Sequence, residues 1–411
     1  MRVKLANVNE NYYHLPLYID AFPMSSHSLR LWRWIHKWSS LVCTAFMLLL
    51  CLTGLPLIYH HEIGHLLGND VVAPEVQPGT GRANLDDVIA AGRALYPNKI
   101  MMYMSQEADE PAIWNVTLGD HPTDEHYKPI AVDARTATVI AEPAFEGGAF
   151  MSTMFRLHVD LFAGLPGKLF LGCMGLLLIV AIVSGVVLYA PFMRKLDFGT
   201  VRHGRSARLK WLDLHNLLGI VTLVWALVVG ATGMVNTWAD VLLKYWQATE
   251  IAAMLEPYKG AAPPTRLASM DAAVKRAEAA APGMQVAFVA FPGTPFASPH
   301  HYGVYMRGNE AFSSRLYKPV LIDAQTGLIT DQRDLPWYLT ALLISQPLHF
   351  GDYGGGWMQF LWALLDVATI VVLGSGLYLW VQRGRAVKRH ARAVAQGGLA
   401  APALVRSGDE Q

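Results

Sequence analysis

Four apolar runs, 41–59, 169–192, 217–235 and 360–381, dominate the 411-residue sequence. Each is close to or beyond the about 20 residues that a helix needs to cross a bilayer. A charged share of 16 % and a positive mean hydropathy agree with apolar spans joined by polar loops. The pattern predicts a polytopic α-helical membrane protein with four transmembrane helices, because a backbone in lipid must satisfy its own hydrogen bonds.

The basic residues orient these spans. Arg30, Arg33 and Lys37 precede the first; Arg194, Lys195, Arg202, Arg205, Arg208 and Lys210 lie between the second and third. Arg383, Arg385, Lys388, Arg389 and Arg392 follow the fourth, whereas 64–150 is acidic with few lysines or arginines. By the positive-inside rule both termini and the middle loop face the cytoplasm, and two long loops are exported. Trp32, Trp34, Trp38 and Trp211 fall where an interfacial aromatic belt belongs. The polar first 28 residues predict no cleavable signal peptide. Cys43, Cys51 and Cys173 all lie within spans, which excludes a disulfide framework in the loops and C-x-x-C-H attachment of haem.

The expected order is a cytoplasmic segment 1–29, a span within 30–65, an exported domain 66–150, and a histidine-bearing turn with the second span in 151–193. A cytoplasmic loop 194–208, a third span within 209–246, a second exported domain 247–335 and a second histidine turn with the fourth span in 336–383 follow. The tail 384–411, rich in Ala, Gly and Arg, is expected to be disordered.

The two halves resemble each other. "RWIHKWSSLVCTAFMLLLCLTGLPL" aligns with "WLDLHNLLGIVTLVWALVVGATGMV" at an offset of 179, which pairs His36 with His215 and Thr53-Gly54 with Thr232-Gly233. "AVDARTATVI" resembles "LIDAQTGLIT", and the "LH" stretches that follow pair His158 with His349 and Ser184-Gly185 with Ser375-Gly376 at an offset of 191. Both halves would run the same way through the membrane as parallel pseudo-repeats. In each loop a stretch with helical periodicity (85–97, 270–282) precedes alternating segments, "AIWNVTLG" and "HYGVYMRG", so each exported domain is expected to be α+β.

The repeat also selects histidines. A site on an axis between the halves needs a ligand from each, and His36/His215 and His158/His349 meet that condition. A single histidine beside Trp34 or Trp38 reads as an interfacial anchor; four in register read as ligands. Two imidazoles facing each other across a helical bundle can fill both axial positions of a haem iron. The 18 residues from His36 to Gly54 span about 27 Å of helix, so the two pairs would lie near opposite membrane faces.

"HHEIGH" (60–65) has the H-E-x-x-H pattern of zinc peptidases, with His61 and His65 as ligands and Glu62 as base. It has no counterpart in the second half, no further acidic motif supplies a third ligand, and Pro56 is expected to disturb the helix carrying it. His60, His61 and His65 could instead line an exported pocket beside a haem or a metal complex. Asp366, the acidic residue well inside a span, marks either a functional site or a structural hydrogen bond. The glycine runs 164–167 and 354–356 are expected to break the chain after His158 and His349. His300, His301, Tyr302 and the stretch near Trp337 are candidates for a pocket wall.

With "WRWIHKWSSL…LTG", two "D-A-x-T" turns, two "LH" stretches and paired "SG-x-x-L" span ends, the chain resembles the PepSY-associated transmembrane helix family, iron-regulated inner-membrane proteins. It is particularly similar to ferric-siderophore reductases, from about residue 30 to 385. That resemblance implies periplasmic PepSY-like domains and about two b haems, with His36, His215, His158 and His349 as ligands. It leaves their pairing open, and the histidine-rich HHEIGH run could supply a ligand. The activity it implies is reduction of a ferric siderophore or other ferric chelate, with an unidentified electron donor, the bilayer as medium and no nucleic-acid partner. No G-x-G-x-x-G run is present for a nicotinamide or flavin cofactor. Two other classes compete: a non-catalytic membrane protein binding or regulating an exported partner, and the zinc protease.

Overall fold

The computed structural model describes residues 25–68, 71–108, 110–124, 126–142, 148–193, 199–202, 204, 206–310 and 313–395. Arg194, Lys195 and Arg205, which helped to orient the spans, lie outside the described residues, as does most of the N-terminal segment; of the tail 384–411 expected to be disordered, 384–395 is helical instead and the remainder lies outside the described residues.

Helix α1 (Ser26–Ile58) starts where the Ser25 hydroxyl accepts the Ser28 amide at 3.1 Å. A short α2 (His60–Leu66) follows a break at Tyr59. The first polar segment folds as α3 (Leu85–Leu95), β1 (Ile100–Ser105), β2 (Ile113–Gly119), β3 (Lys128–Asp133) and β4 (Val139–Ala141). Then come α4 (Gly148–Val159), α5 (Leu165–Met193), α6 (Ala207–Val221), α7 (Leu223–Thr237), α8 (Ala239–Trp246) and α9 (Ala252–Leu255). The second polar segment gives α10 (Met270–Ala280), β5 (Met284–Ala290), β6 (His301–Gly308), β7 (Tyr317–Asp323) and β8 (Ile329–Gln332). Helices α11 (Trp337–Phe350) and α12 (Gly355–Ala395) end the described chain.

Among the described residues, three helical stretches are long and apolar enough to cross a membrane: Ser26–Ile58, Leu165–Pro191 and Asp352–Ala386. The third expected span is not one straight rod. It is the pair α6 and α7, bent by 64° at Thr222. The Thr222 hydroxyl bonds back to the Leu218 carbonyl at 2.9 Å, a side-chain bond of the kind that bends helices. Apolar side chains such as Leu52, Val183, Val224 and Leu364 point outward from the bundle, as a lipid-facing surface requires. Inside, Cys43, Met47 and Met174 pack together, and Phe46 meets Phe170 edge-on at 4.8 Å.

The chain does break after His158 and His349, but the helices that carry them end ahead of the glycine runs, which sit at the start of the long helices that follow. Helix α4 ends before Gly164 (φ +62°), and α11 ends at Gly351 (φ +79°), so His158 and His349 each sit on a helix separate from the long one that follows. In the first of these corners Leu161 and Phe162 are also left-handed, held by the Asp160 carboxylate, which accepts the Phe162 amide at 2.8 Å.

The two polar segments do not remain separate domains. Their strands form one antiparallel eight-stranded sheet in the order β4-β3-β2-β1-β5-β6-β7-β8. The seam is β1 against β5, where Tyr103 pairs with Ala290, Met104 with Val289 and Ser105 with Phe288. The two sets of strands share their irregularities as well. Register shifts occur between Met101 and Tyr103 and, 185 residues on, between Val286 and Phe288. One face is covered by α3 and α10, whose inward residues recur at helical spacing: Leu85, Val88, Ile89 and Gly92, then Met270, Ala273, Val274 and Ala277. Against the other face pack Trp246, Ile251, Met254, Leu339 and Leu342 from the segment 239–255 and α11.

Candidate functional site

The four histidines singled out by the repeat occupy four sockets of one design. The Nδ1 of His36 on α1 donates to the Ala181 carbonyl of α5 at 2.9 Å and lies 3.2 Å from the Ser184 hydroxyl. The Nδ1 of His215 on α6 donates to the Val372 carbonyl of α12 at 3.0 Å and lies 2.9 Å from the Ser375 hydroxyl. His349 on α11 donates to the Val229 carbonyl of α7 at 3.0 Å, with the Thr232 hydroxyl at 3.5 Å. His158 on α4 lies 3.0 Å from the Thr53 hydroxyl of α1, with the Leu50 carbonyl nearby in the place of the other three carbonyls. In every case the carbonyl lies three residues before the hydroxyl residue, on a helix of the same half of the chain.

A glycine follows each hydroxyl residue, and the imidazole rests on it. A Cβ added at Gly54, Gly185, Gly233 or Gly376 would come 3.3, 3.1, 2.8 or 3.5 Å from the Cε1 of His158, His36, His349 or His215. The Ser/Thr-Gly dipeptides thus have a physical purpose: the small residue admits the ring and the carbonyl one turn earlier orients it.

This geometry assigns the tautomer. A carbonyl can only accept, so the proton sits on Nδ1. The hydroxyl hydrogens are engaged elsewhere: Thr53 donates to Leu49, Ser184 to Val180, Thr232 to Val228 and Ser375 to Val372. Each Nε2 is left with a free lone pair, and none makes a hydrogen bond among the described residues.

The sockets come together across the halves. The His158 and His349 rings are 6.1 Å apart between centroids and inclined by 58°. His36 and His215 lie close enough to interact electrostatically. Both pairs therefore contain one residue from each half. The first is at the end of the bundle that meets the sheet, the second at the opposite end.

The HHEIGH run behaves differently. The break at Tyr59 comes before His60, so Pro56 stays within α1 and His61 and His65 share the short α2. The His60 and His61 rings lie 4.0 Å apart, inclined by 37°, and the His60 Nδ1 donates to the Leu57 carbonyl at 3.0 Å. Among the described residues no group of three or more His, Cys, Asp or Glu side chains comes together as a metal-binding cluster.

Asp366 on α12 is buried and lies near the Cys51 thiol of α1. Its Oδ2 has no partner. The expected pocket-wall residues separate. His301 is fully buried beside Ser298, Tyr302 lies under the α3–α10 layer, and Trp337 is exposed.

What sequence reasoning missed is the socket itself. Thr53-Gly54, Ser184-Gly185, Thr232-Gly233 and Ser375-Gly376 served only to register the repeat, yet each receives a histidine. The signal was present: one hydroxyl-glycine dipeptide in each of the apolar runs.

Known proteins place the chain in context. An uncharacterized protein of Pseudomonas aeruginosa, PA4219, is 27 % identical over 288 residues, covering 63 % of this chain and 72 % of that protein. A family model described as PepSY-associated TM region matches residues 33–383. Since that match spans most of the sequence, this membrane protein belongs to the PepSY-associated TM region family.

Proposed function

We propose that the chain is a dihaem b-type transmembrane reductase of the bacterial inner membrane, passing electrons outward to ferric siderophores or other ferric chelates and releasing Fe²⁺. In this reading the bent pair counts as one of four spans in two parallel pseudo-repeats. Both termini are cytoplasmic and the sheet is a periplasmic PepSY-like unit. The observation that carries it is the set of four sockets, each presenting a free Nε2, arranged as two pairs across the halves.

The residues fit the group. Two metal–nitrogen bonds of about 2 Å and two ring half-widths sum to roughly 6 Å, and the His158 and His349 centroids are 6.1 Å apart. Haem b bound there would supply a one-electron Fe³⁺/Fe²⁺ couple. The protein's part is orientation. His36 and His215 would hold one group, His158 and His349 the other, each through Nε2. The Nδ1–H bonds to the Ala181, Val372 and Val229 carbonyls, and that of His158 to the Thr53 hydroxyl, fix ring rotation and raise the donor strength of the ligating nitrogen.

Selectivity for a ferric chelate follows from ligand hardness. Oxygen donors hold Fe³⁺ far more tightly than Fe²⁺, so one electron delivered outside the membrane frees the metal. The electron enters from a separate one-electron donor on the cytoplasmic side. A visible spectrum of the purified protein, with a pyridine haemochrome assay, tests the proposal: about two b haems per chain are expected. A colourless protein made with ample haem supply would overturn it and favour a non-catalytic role in binding a periplasmic partner.

A further inference from the structure

Away from the bundle, α3 and α10 meet over the β1–β5 seam and cap each other. The Asp86 carboxylate accepts the Met270 amide at 2.7 Å, and Asp271 accepts the Leu85 amide at 3.4 Å. A shift of 185 residues exchanges the two caps, so each feature beside one helix has a counterpart beside the other.

On one side the surface is closed. Arg82 lies over the Trp114 indole, 5.1 Å from the ring centroid, and pairs with Glu278 at 3.3 Å. The same shift takes Arg82 to Leu267 and Glu278 back to Arg93, while the strand registers take Trp114 to Tyr302. There no ion pair closes the surface. Leu267 carries no charge, and Arg93 makes no ion pair or hydrogen bond among the described residues. The result is a cavity of about 650 Å³ whose lining includes Ile89, Ala90, Arg93, Leu267, Phe291 and Tyr302.

Its chemistry is one-sided. Asp86 reaches the wall, but its carboxylate is engaged by Ser269 and the Met270 amide. The Tyr302 hydroxyl donates to the Ala268 carbonyl at 3.0 Å, and its ring meets Phe291 edge-on at 5.7 Å to form the floor. What remains is a pocket of small-molecule size, part apolar and part polar, with one unpaired guanidinium at its wall. We propose that this cavity binds a small carboxylate with an apolar, ring-sized body, its carboxylate on Arg93 and its body against Ile89, Ala90 and Leu267. An exposed ion pair alone contributes little, so the apolar body carries most of the affinity and Arg93 selects for negative charge. The site lies on the sheet face opposite the histidine pairs and does not depend on the redox reading.

The test is a fluorine NMR titration of the full chain in lipid nanodiscs with para-trifluoromethylbenzoate, using neutral para-trifluoromethylbenzamide to account for partition into lipid. Saturable binding of the benzoate is expected, with the amide about threefold weaker. Arg93→Gln, at an exposed position, should weaken the benzoate about threefold and leave the amide unchanged. Joining Arg93→Glu with Leu267→Arg writes the ion pair of the closed side into the open one and should abolish binding of both. No saturable binding at about 10 mM, equal affinity for benzoate and amide, or unchanged binding by the double variant would each overturn the proposal.

Discussion

The imidazoles of His158 and His349 face each other at 6.1 Å although 191 residues separate them in the chain. Each is held by its own half: His158 hangs from Thr53 of α1, His349 from Val229 and Thr232 of α7. The pair thus forms only when both halves are folded and correctly apposed. If the proposed haem binds there, its occupancy would report on the whole bundle.

The pairing sets the outcome of combined substitutions. His215→Ala should remove one of about two haems and spare the other, as should His158→Ala. His158→Ala with His349→Ala should still lose only one, whereas His158→Ala with His215→Ala should leave the protein colourless. Haemochrome counts on the four variants check this, and the reverse pattern would mean that the pairs are drawn wrongly.

The glycines should differ in tolerance. A methyl at Gly233 would sit 2.8 Å from the His349 Cε1, closer than real contacts allow, while one at Gly376 would meet His215 at an ordinary 3.5 Å. Gly233→Ala is expected to lose haem at the sheet end and Gly376→Ala to keep both. Alanine gains up to about 1 kcal/mol of helix propensity at either position, so a folding defect is not the expected cause. Absorption spectra of the two variants distinguish them.

Acid should weaken the sheet domain through His301. Burial pushes this imidazole down to about 4 from its ordinary 6.5, and its Nε2 has no partner. The folded chain holds the ring neutral while the unfolded chain takes up a proton, so stability is lost as pH falls from about 6.5 towards 4. The loss from this one group is on the order of 3 kcal/mol. Thermal unfolding of the full chain at pH steps across that window, compared with His301→Leu, should show a flatter profile in the variant.

Glu62→Gln should leave both haem spectra as they are, since α2 supplies no socket and the paired histidines are held elsewhere. Loss of a haem in Glu62→Gln, or in His61→Ala, would bring the HHEIGH run into the ligand set.

Much of this architecture was legible in the residues. The periodicity of 85–97 and 270–282 located α3 and α10, and the alternation in "AIWNVTLG" and "HYGVYMRG" located β2 and β6. Strands β1 and β5 escaped notice because the seam buries Met101, Met102 and Met104, and likewise Val286, Ala287, Val289 and Ala290, on both faces and so erases the polar–apolar rhythm. The bend at Thr222 is hidden for a related reason: an apolar run reads the same whether straight or broken. The four histidines were picked out by repetition, but their holders were not. Hydrogen bonds to main-chain carbonyls leave no trace in side-chain identity.

The continuous sheet has a mechanical consequence. Its central pairing of Met104 with Val289 yokes the two halves at one end of the bundle, and strand register changes only in whole residues. A slip of one step would turn every side chain of one half over and draw α4 and α11 out of level. The β1–β5 ladder therefore doubles as a gauge block that spaces His158 from His349.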